Sequence, residues 1–242
     1  MKYKLEIIFD KILSFFLPRT CFCCGADLKT KHILCSDCLN KVEDVKGLIC
    51  ARCGMPLNSG GHYCYNCRGS KAAKYKCSFI RSALKFNEPT RALVHAFKYE
   101  KYLNIAPFFA EVMYRTYRKN PEFREAEFLV PVPIHKKRQR KRGFNQAEVL
   151  AKHLSKICGI PVLNALVRAK NTASQTKLSR SERKENILGA FVLADCAKDK
   201  IKNHACILID DVCTTGATLE ECARVLKAAG AREVLALTAL RE

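Results

Sequence analysis

Residues Cys206 to Thr218 read C-I-L-I-D-D-V-C-T-T-G-A-T: an apolar run, two adjacent acids, and a Thr/Gly-rich turn that opens a helical pattern. Ile207, Leu208 and Ile209 are what a short strand buried on both faces needs, and Asp210 and Asp211 stand where such a strand reaches solvent. Thr214, Thr215, Gly216, Ala217 and Thr218 then offer hydroxyls and one backbone position without a Cβ, just ahead of a 3.6-period pattern at Leu219, Cys222, Ala223 and Leu226. Free N–H groups at a helix N-terminus bind phosphate well. Two neighbouring carboxylates can accept hydrogen bonds from the two hydroxyls of a ribose, or hold Mg²⁺ through water. A strand, a polar turn and a capped surface helix is the plainer reading. The sharper one is a site for a phosphorylated sugar.

Outward from that stretch, the chain after Cys77 alternates helical and extended patterns, as a parallel α/β sheet requires. Arg91 to Glu100 and Ile105 to Tyr117 read as helices, and Phe128 to Val132 as a strand. Asn145 to Cys158 reads as a helix with apolar Ala147, Leu150, Ala151, Leu154 and Ile157, closed by Gly159-Ile160-Pro161. Val162 to Val167 is extended, Lys170 to Arg180 is a long polar loop, Leu219 to Ala229 is the helix of the motif, and Val234 to Leu240 is a last strand. Ligands of such sheets sit at the carboxyl ends of the strands, which brings Pro133 to Asn145, Arg168 to Arg180 and Asp210 to Thr218 together.

The 242 residues carry 43 basic and 23 acidic side chains, a formal net charge of +20. Lys136 to Arg142 and Arg168 to Lys184 hold 12 of the basic residues against the single acid Glu182. Such runs are a solvated face or a surface for a polyanion: pyrophosphate, nucleic acid, or both. No run of about 18 apolar residues exists to span a membrane. Met1 to Leu17 lacks a small-residue cleavage site, and Glu6 and Asp10 interrupt its apolar run, so the expected location is cytoplasmic. Residues 1–19 read as an N-terminal helix, apolar around most of its circumference from Leu5 to Leu17 and ended by Pro18.

Ten of the 15 cysteines fall between Cys21 and Cys77, which separates a cysteine-rich module over residues 20–76 from a second domain over 77–242. Eight form C-x-x-C pairs: Cys21/Cys24, Cys35/Cys38, Cys50/Cys53 and Cys64/Cys67. A shift of 29 residues carries the first two pairs onto the last two, an internal repeat. In a cytosolic chain such pairs point to metal before disulfide, and two facing pairs supply the four thiolates of a tetrahedral Zn²⁺ site. The module is too small to bury a core alone, so two structural zinc ions would supply much of its folding free energy. The spacers of 10, 11 and 10 residues leave both sequential and interleaved pairings open. Cys23 and Cys77 are left over.

The stretch from Cys206 to Thr218 closely resembles the phosphoribosyl-pyrophosphate (PRPP) signature of type I phosphoribosyltransferases. That resemblance assigns the ribose hydroxyls to Asp210 and Asp211, and the 5-phosphate to Thr214, Thr215, Gly216, Ala217 and Thr218. Cys213 departs from the usual aliphatic residue, and a buried thiol behaves as a small hydrophobe. P-V-P at Pro131–Pro133, R-G-F-N-Q-A at Arg142–Ala147, Arg168, Thr172, Gln175, Leu178, Arg183, Asn186 and Phe191 follow one another behind the ribbon. In that order they look like the ComF/GntX family of phosphoribosyltransferase-like proteins. The resemblance implies an α/β type I phosphoribosyltransferase core, a parallel sheet flanked by helices, behind a small double zinc ribbon. It implies PRPP with Mg²⁺ as ligand, Arg142 as the first candidate to stabilise departing pyrophosphate, and Arg168 to Arg180 as a flexible loop. It also implies a part in natural competence, handling single-stranded DNA during uptake. Three functions stay open: such a competence factor, a phosphoribosyltransferase (a glycosyltransferase) of unknown base or amine acceptor, and a scaffold whose ribbons dock a helicase or channel protein.

Overall fold

The computed structural model describes residues 20–29, 32–58, 60–69, 75–170, 182 and 186–242. The helix expected over 1–19 and most of the Lys170 to Arg180 loop lie outside the described residues. The larger domain is built on a four-stranded sheet in the order β1-β6-β5-β2: β1 is Ile80–Lys85, β2 Phe128–Pro131, β5 Ala205–Cys213 and β6 Glu233–Arg241. Every pairing in it is parallel, with Ile80 opposite Ala236, Ile207 opposite Leu235, and Leu129 opposite Ile207. A parallel strand covered on both faces needs apolar side chains of both parities. In β5, Ile207 and Ile209 enter one buried cluster while Cys206 and Leu208 enter the other.

The helices that cover these faces are α1 (Glu88–Tyr99), α2 (Ala106–Lys119), α3 (Lys136–Arg142), α4 (Gln146–Cys158) and α5 (Ala217–Ala228). Phe97 of α1, Phe109 and Met113 of α2, and Leu150 and Leu154 of α4 fill the first cluster with Ile207 and Leu235. Leu219, Cys222, Ala223 and Leu226 of α5 fill the second with Leu208 and Val234. Local chemistry fixes the helix starts. Asn87 and Thr90 form a capping box on α1, and the Asn145 side chain accepts from the Ala147 amide on α4. Asn145 Nδ2 also donates to Val132 O at 3.1 Å, so the residue that starts α4 clips the end of β2.

Two segments differ from the sequence reading. Lys136 to Arg142, read as part of a loop, is the helix α3, capped by His135 and stopped by Gly143 at φ 88°. None of its residues is buried, so it leaves no apolar period to read. Val162 to Val167, read as one extended segment, divides in two. Val162 bridges Leu129 in parallel at the sheet edge, and the chain then turns so that β3 (Leu166–Arg168) pairs antiparallel with β4 (Phe191–Leu193).

The cysteine-rich module repeats in space as it does in sequence. Cys21 N donates to Ala26 O and Gly25 N to Cys21 O, and 29 residues later Cys50 N donates to Met55 O and Gly54 N to Cys50 O. The bridges Thr20–Asp27 and Ile49–Pro56 match in the same way. Between the two units the chain runs along β1: Val45 N donates to Ala83 O and Lys85 N to Glu43 O, and Asp44 bridges Leu84 antiparallel. The outer edge of the sheet is thereby covered rather than left to pair with another chain.

Candidate functional site

The metal-ligating thiols fall into two sets, Cys21/Cys24/Cys35/Cys38 and Cys50/Cys53/Cys64/Cys67, each with all its Sγ atoms within 4.8 Å of one another. Pairing is therefore sequential, one set per repeat. Cys24 Sγ lies 3.7 Å from Cys35 Sγ, and Cys53 Sγ 3.7 Å from Cys64 Sγ. A tetrahedron with Zn–S bonds of about 2.3 Å has edges of about 3.8 Å, so both sets fit Zn²⁺. Burial raises the Cys50 thiol, but the amides of Cys53, Cys64 and Arg52 outweigh it and bring it down to about 7. In the first set Cys21 is lowered to about 6 by the same contest of burial against the amides of Cys24, Cys35 and Cys23. Burial raises Cys38, Cys67 and Cys53, the last to about 11, so one thiol in each set ionises readily and a cation is needed to hold the others as thiolates. Cys23 and Cys77 stay outside both sets, and Cys77 is buried with its Sγ directed to Phe79 O.

A cavity of about 430 Å³ opens at the carboxyl ends of the strands. Asp210, Asp211, Thr214, Thr215, Gly216, Ala217, Thr218 and Arg142 all line it, so every candidate from the sequence outside the ribbon meets in one place. Asp211 Oδ1 accepts from Lys98 Nζ at 2.9 Å, and Asp210 Oδ1 accepts from the Asp211 amide at 2.9 Å. Burial pushes Asp210 up to about 7, the neighbouring Asp211 adds to the rise, and the Asp211 amide, Lys98 and Arg168 oppose it. Gly216 caps α5 at φ 78°, a left-handed conformation that favours glycine. A Cβ there would lie 3.1 Å from Ile80 Cδ1, and the first-turn amides of α5 have no helical acceptor. Thr215 Oγ1 takes one of them, from Ala217, at 3.3 Å.

Three guanidinium groups, of Arg138, Arg142 and Arg168, line the same cavity. Burial lowers Arg138 and Arg142 lowers it further; burial lowers Arg168 and Arg138 lowers it further. Arg142 Nη1 donates to Gln146 Oε1 at 3.0 Å and its guanidinium lies 5.2 Å from the Tyr99 ring centroid. Gln146 keeps a buried Nε2 without an acceptor among the described residues. Adjacent carboxylate oxygens, amides at a helix start and a cluster of cations match a Mg²⁺-bound sugar phosphate in charge and donor type.

Sequence reasoning missed one wall. Arg91, Val94, His95, Lys98 and Tyr99 of α1 line the cavity, yet the segment was read only as a helix. The run H-A-F-K-Y (His95–Tyr99) held a signal: His95, Lys98 and Tyr99, at i, i+3 and i+4, share a side of the helix away from the buried Ala96 and Phe97.

Sheet, loop and ribbon together define a phosphoribosyltransferase-fold domain behind a double zinc ribbon. The profile described as "Double zinc ribbon domain" matches residues 12–68, and that described as "Phosphoribosyl transferase domain" matches 140–241. "Competence protein F" of Haemophilus influenzae is 32% identical over 227 residues, 92% of this chain and 96% of that one. "Competence protein ComFC" of Bacillus subtilis is 32% identical over 88% of this chain and 86% of its own. "DNA utilization protein YhgH" of Escherichia coli strain K12 is 28% identical over 90% and 95%. The chain belongs to the ComF/GntX family. Among solved structures, a glutamine PRPP amidotransferase from B. subtilis gives a TM-score of 0.38 at 16% identity, covering 55% of this chain and 26% of that one. An adenine phosphoribosyltransferase from Leishmania tarentolae gives 0.37 at 14%, covering 61% and 75%. These scores are too low to argue from, and the fold rests on the sheet and the matched profile. Among the described residues, no helix is long and apolar enough to cross a membrane.

Proposed function

We propose that this chain binds PRPP with Mg²⁺ in the cavity, and that it acts in the cytoplasm on single-stranded DNA during natural competence and uptake. The observation that carries the ligand is the convergence of Asp210 and Asp211, the Thr214–Thr218 turn and the Arg138/Arg142/Arg168 cluster on one cavity. Asp210 and Asp211 accept from the ribose hydroxyls, and the amides and hydroxyls from Thr214 to Thr218 hold the 5-phosphate. Mg²⁺, when bound, offsets the charge between ribose and pyrophosphate. Arg142, held by Gln146 and Tyr99, faces the pyrophosphate with Arg138 beside it. The DNA assignment is supported by the relatives named for competence and DNA utilization, and by α3, whose seven residues include six cations.

Turnover to a base or amine acceptor is the second reading. It is favoured by Asp210, a carboxyl raised to about 7 beside the ribose position, where a group can exchange a proton at neutral pH. Calorimetry with PRPP and Mg²⁺ tests the first reading: saturable heat is expected, and its loss in Asp211→Ala. Absence of binding, or equal binding by the variant, overturns it. An acceptor screen for pyrophosphate release, blank across bases and amines, removes the second reading.

A further inference from the structure

Arg241, near the end of β6, is 5% exposed. Its Nη1 donates to Cys213 Sγ at 2.7 Å, its Nη2 reaches Met55 Sδ at 3.8 Å, and its Nε has no acceptor among the described residues. No carboxylate of the described residues pairs with it. A guanidinium does not shed its proton, and a buried charge without compensation is costly. What lies beside it is the second knuckle: Met55 follows Cys53 by two residues. Four thiolates around one Zn²⁺ carry about −2, so the loaded knuckle is the anion that offsets Arg241. At its other end the same guanidinium holds Cys213, the residue that leads into the Thr214–Thr218 turn.

A second line of contact runs in parallel. A Cβ at Gly54 of this knuckle would lie 2.7 Å from Ile80 O, so the backbones touch, and Arg81 Nη1 donates to Ala51 O at 2.9 Å. The Ile80 amide donates to Arg52 O, and Ile80 Cδ1 in turn packs on Gly216. Past the turn, Glu220 of α5 accepts from the amides of Lys76 and Cys77, on the segment leaving the knuckle. The turn is thus held before, within and after by groups on or next to one zinc site. The first knuckle meets the domain elsewhere, with Phe22 against Tyr102 at 4.7 Å.

We propose that the Cys50/Cys53/Cys64/Cys67 knuckle is the support of the phosphate-binding turn, and that Arg241 is the positioning residue that joins them. Only the ligand arm of this proposal rests on the reading of the cavity given above. The test uses the full zinc-loaded chain, Arg241→Met, Arg241→Lys, and two variants that each strip one knuckle, Cys24→Ser and Cys53→Ser.

In Arg241→Met, zinc release from the second knuckle to a metallochromic chelator, hydrogen exchange at residues 214–218, and the Kd for ribose 5-phosphate with Mg²⁺ should each rise about tenfold, a usual size for coupling between two sites. Release from the first knuckle, measured in Cys53→Ser, should not change when Arg241→Met is added. Cys53→Ser should loosen the 214–218 amides and Cys24→Ser should not. Saturating ribose 5-phosphate should slow release of the second zinc in the wild-type chain, because coupling is reciprocal. Arg241→Lys, which keeps the charge and loses the fork, should fall between, and it decides the matter if Arg241→Met does not fold. Unchanged exchange at 214–218 in the Arg241 variants, or equal loosening by both cysteine variants, overturns the proposal. A wild-type chain that binds no ribose 5-phosphate overturns the ligand reading alone, since zinc release and exchange still decide the support.

Discussion

Lys98 Nζ sits 2.9 Å from Asp211 Oδ1, with side chains only 20% and 10% exposed, and this ion pair ties helix α1 to the acid pair at the end of β5. It places a cation from an otherwise unremarked helix at the point where the sugar hydroxyls are expected. The two acids are thereby made unequal: the buried Asp211 has a cation of its own, while the half-buried Asp210 beside it is pushed up to about 7.

The raised Asp210 gives a pH signature. Its ordinary value is 3.8, so between that and about 7 the folded chain binds a proton that the unfolded chain does not. Stability therefore falls as pH climbs through that window. Asp210→Asn should raise Tm, and by more at pH 8 than at pH 5, in thermal scans at both values. An equal shift at the two pH values would remove the assignment.

Ligand affinity should follow the same group in the opposite sense. An ionised Asp210 accepts from a hydroxyl, so calorimetric affinity for PRPP with Mg²⁺ should rise towards pH 7 and level off above it. Lys98 lowers Asp210, so Lys98→Met should move that midpoint upward, with Kd at pH 7 weaker by about fivefold for one pKa unit and much of the loss regained at pH 9. Lys98→Arg should restore the wild-type profile.

Gly216→Ala should fail on two counts. Its φ of 78° costs a side chain about 1–2 kcal/mol, and its Cβ would press on Ile80 Cδ1. Denaturant titration should show that loss, and PRPP binding should fall by more than the stability change alone explains.

Zinc content should be two per chain, as the two complete thiol sets require. Cys24→Ser and Cys53→Ser should each leave one, by elemental analysis of the purified chain. The double variant Cys24→Ser/Cys35→Ser should also leave one, because both thiols belong to one set, whereas an interleaved arrangement would place them in different sites and lose both ions.

Exposed cations of α3 should govern nucleic-acid affinity without touching the fold. The double variant Lys137→Glu/Lys141→Glu should weaken single-stranded DNA binding and lower the slope of log affinity on log salt by about 0.7 for each phosphate no longer neutralised. An unchanged slope by fluorescence anisotropy would exclude α3 from the DNA surface.

Much of this architecture was legible because its chemistry is local. The run from Cys206 to Thr218 carries strand, acids, turn and helix start in sequence order, and the structure gathers those same residues around one cavity. The ribbons were legible as metal sites but not as pairings, since spacers of near-equal length are satisfied by either arrangement; only the Sγ positions separate them. Lys98, His95 and Tyr99 escaped because a 3.6-period pattern tells which face of a helix is buried and nothing about what the other face overlooks. The turn of the chain between Val162 and β3 escaped because a short apolar run does not name its partner: Leu129 takes one end and β4 the other. Strand β1 went unread for a related reason, beginning where the last cysteine pattern fades.

Each 29-residue repeat closes its own tetrahedron, with the same hydrogen bonds from Cys21 and Cys50. The ribbon is therefore divisible. A change that breaks one unit's tetrahedron leaves no half-coordinated pair in its neighbour. Such a seam gives a lineage, or an engineer, freedom to vary the first unit while the second stays bound to the sheet.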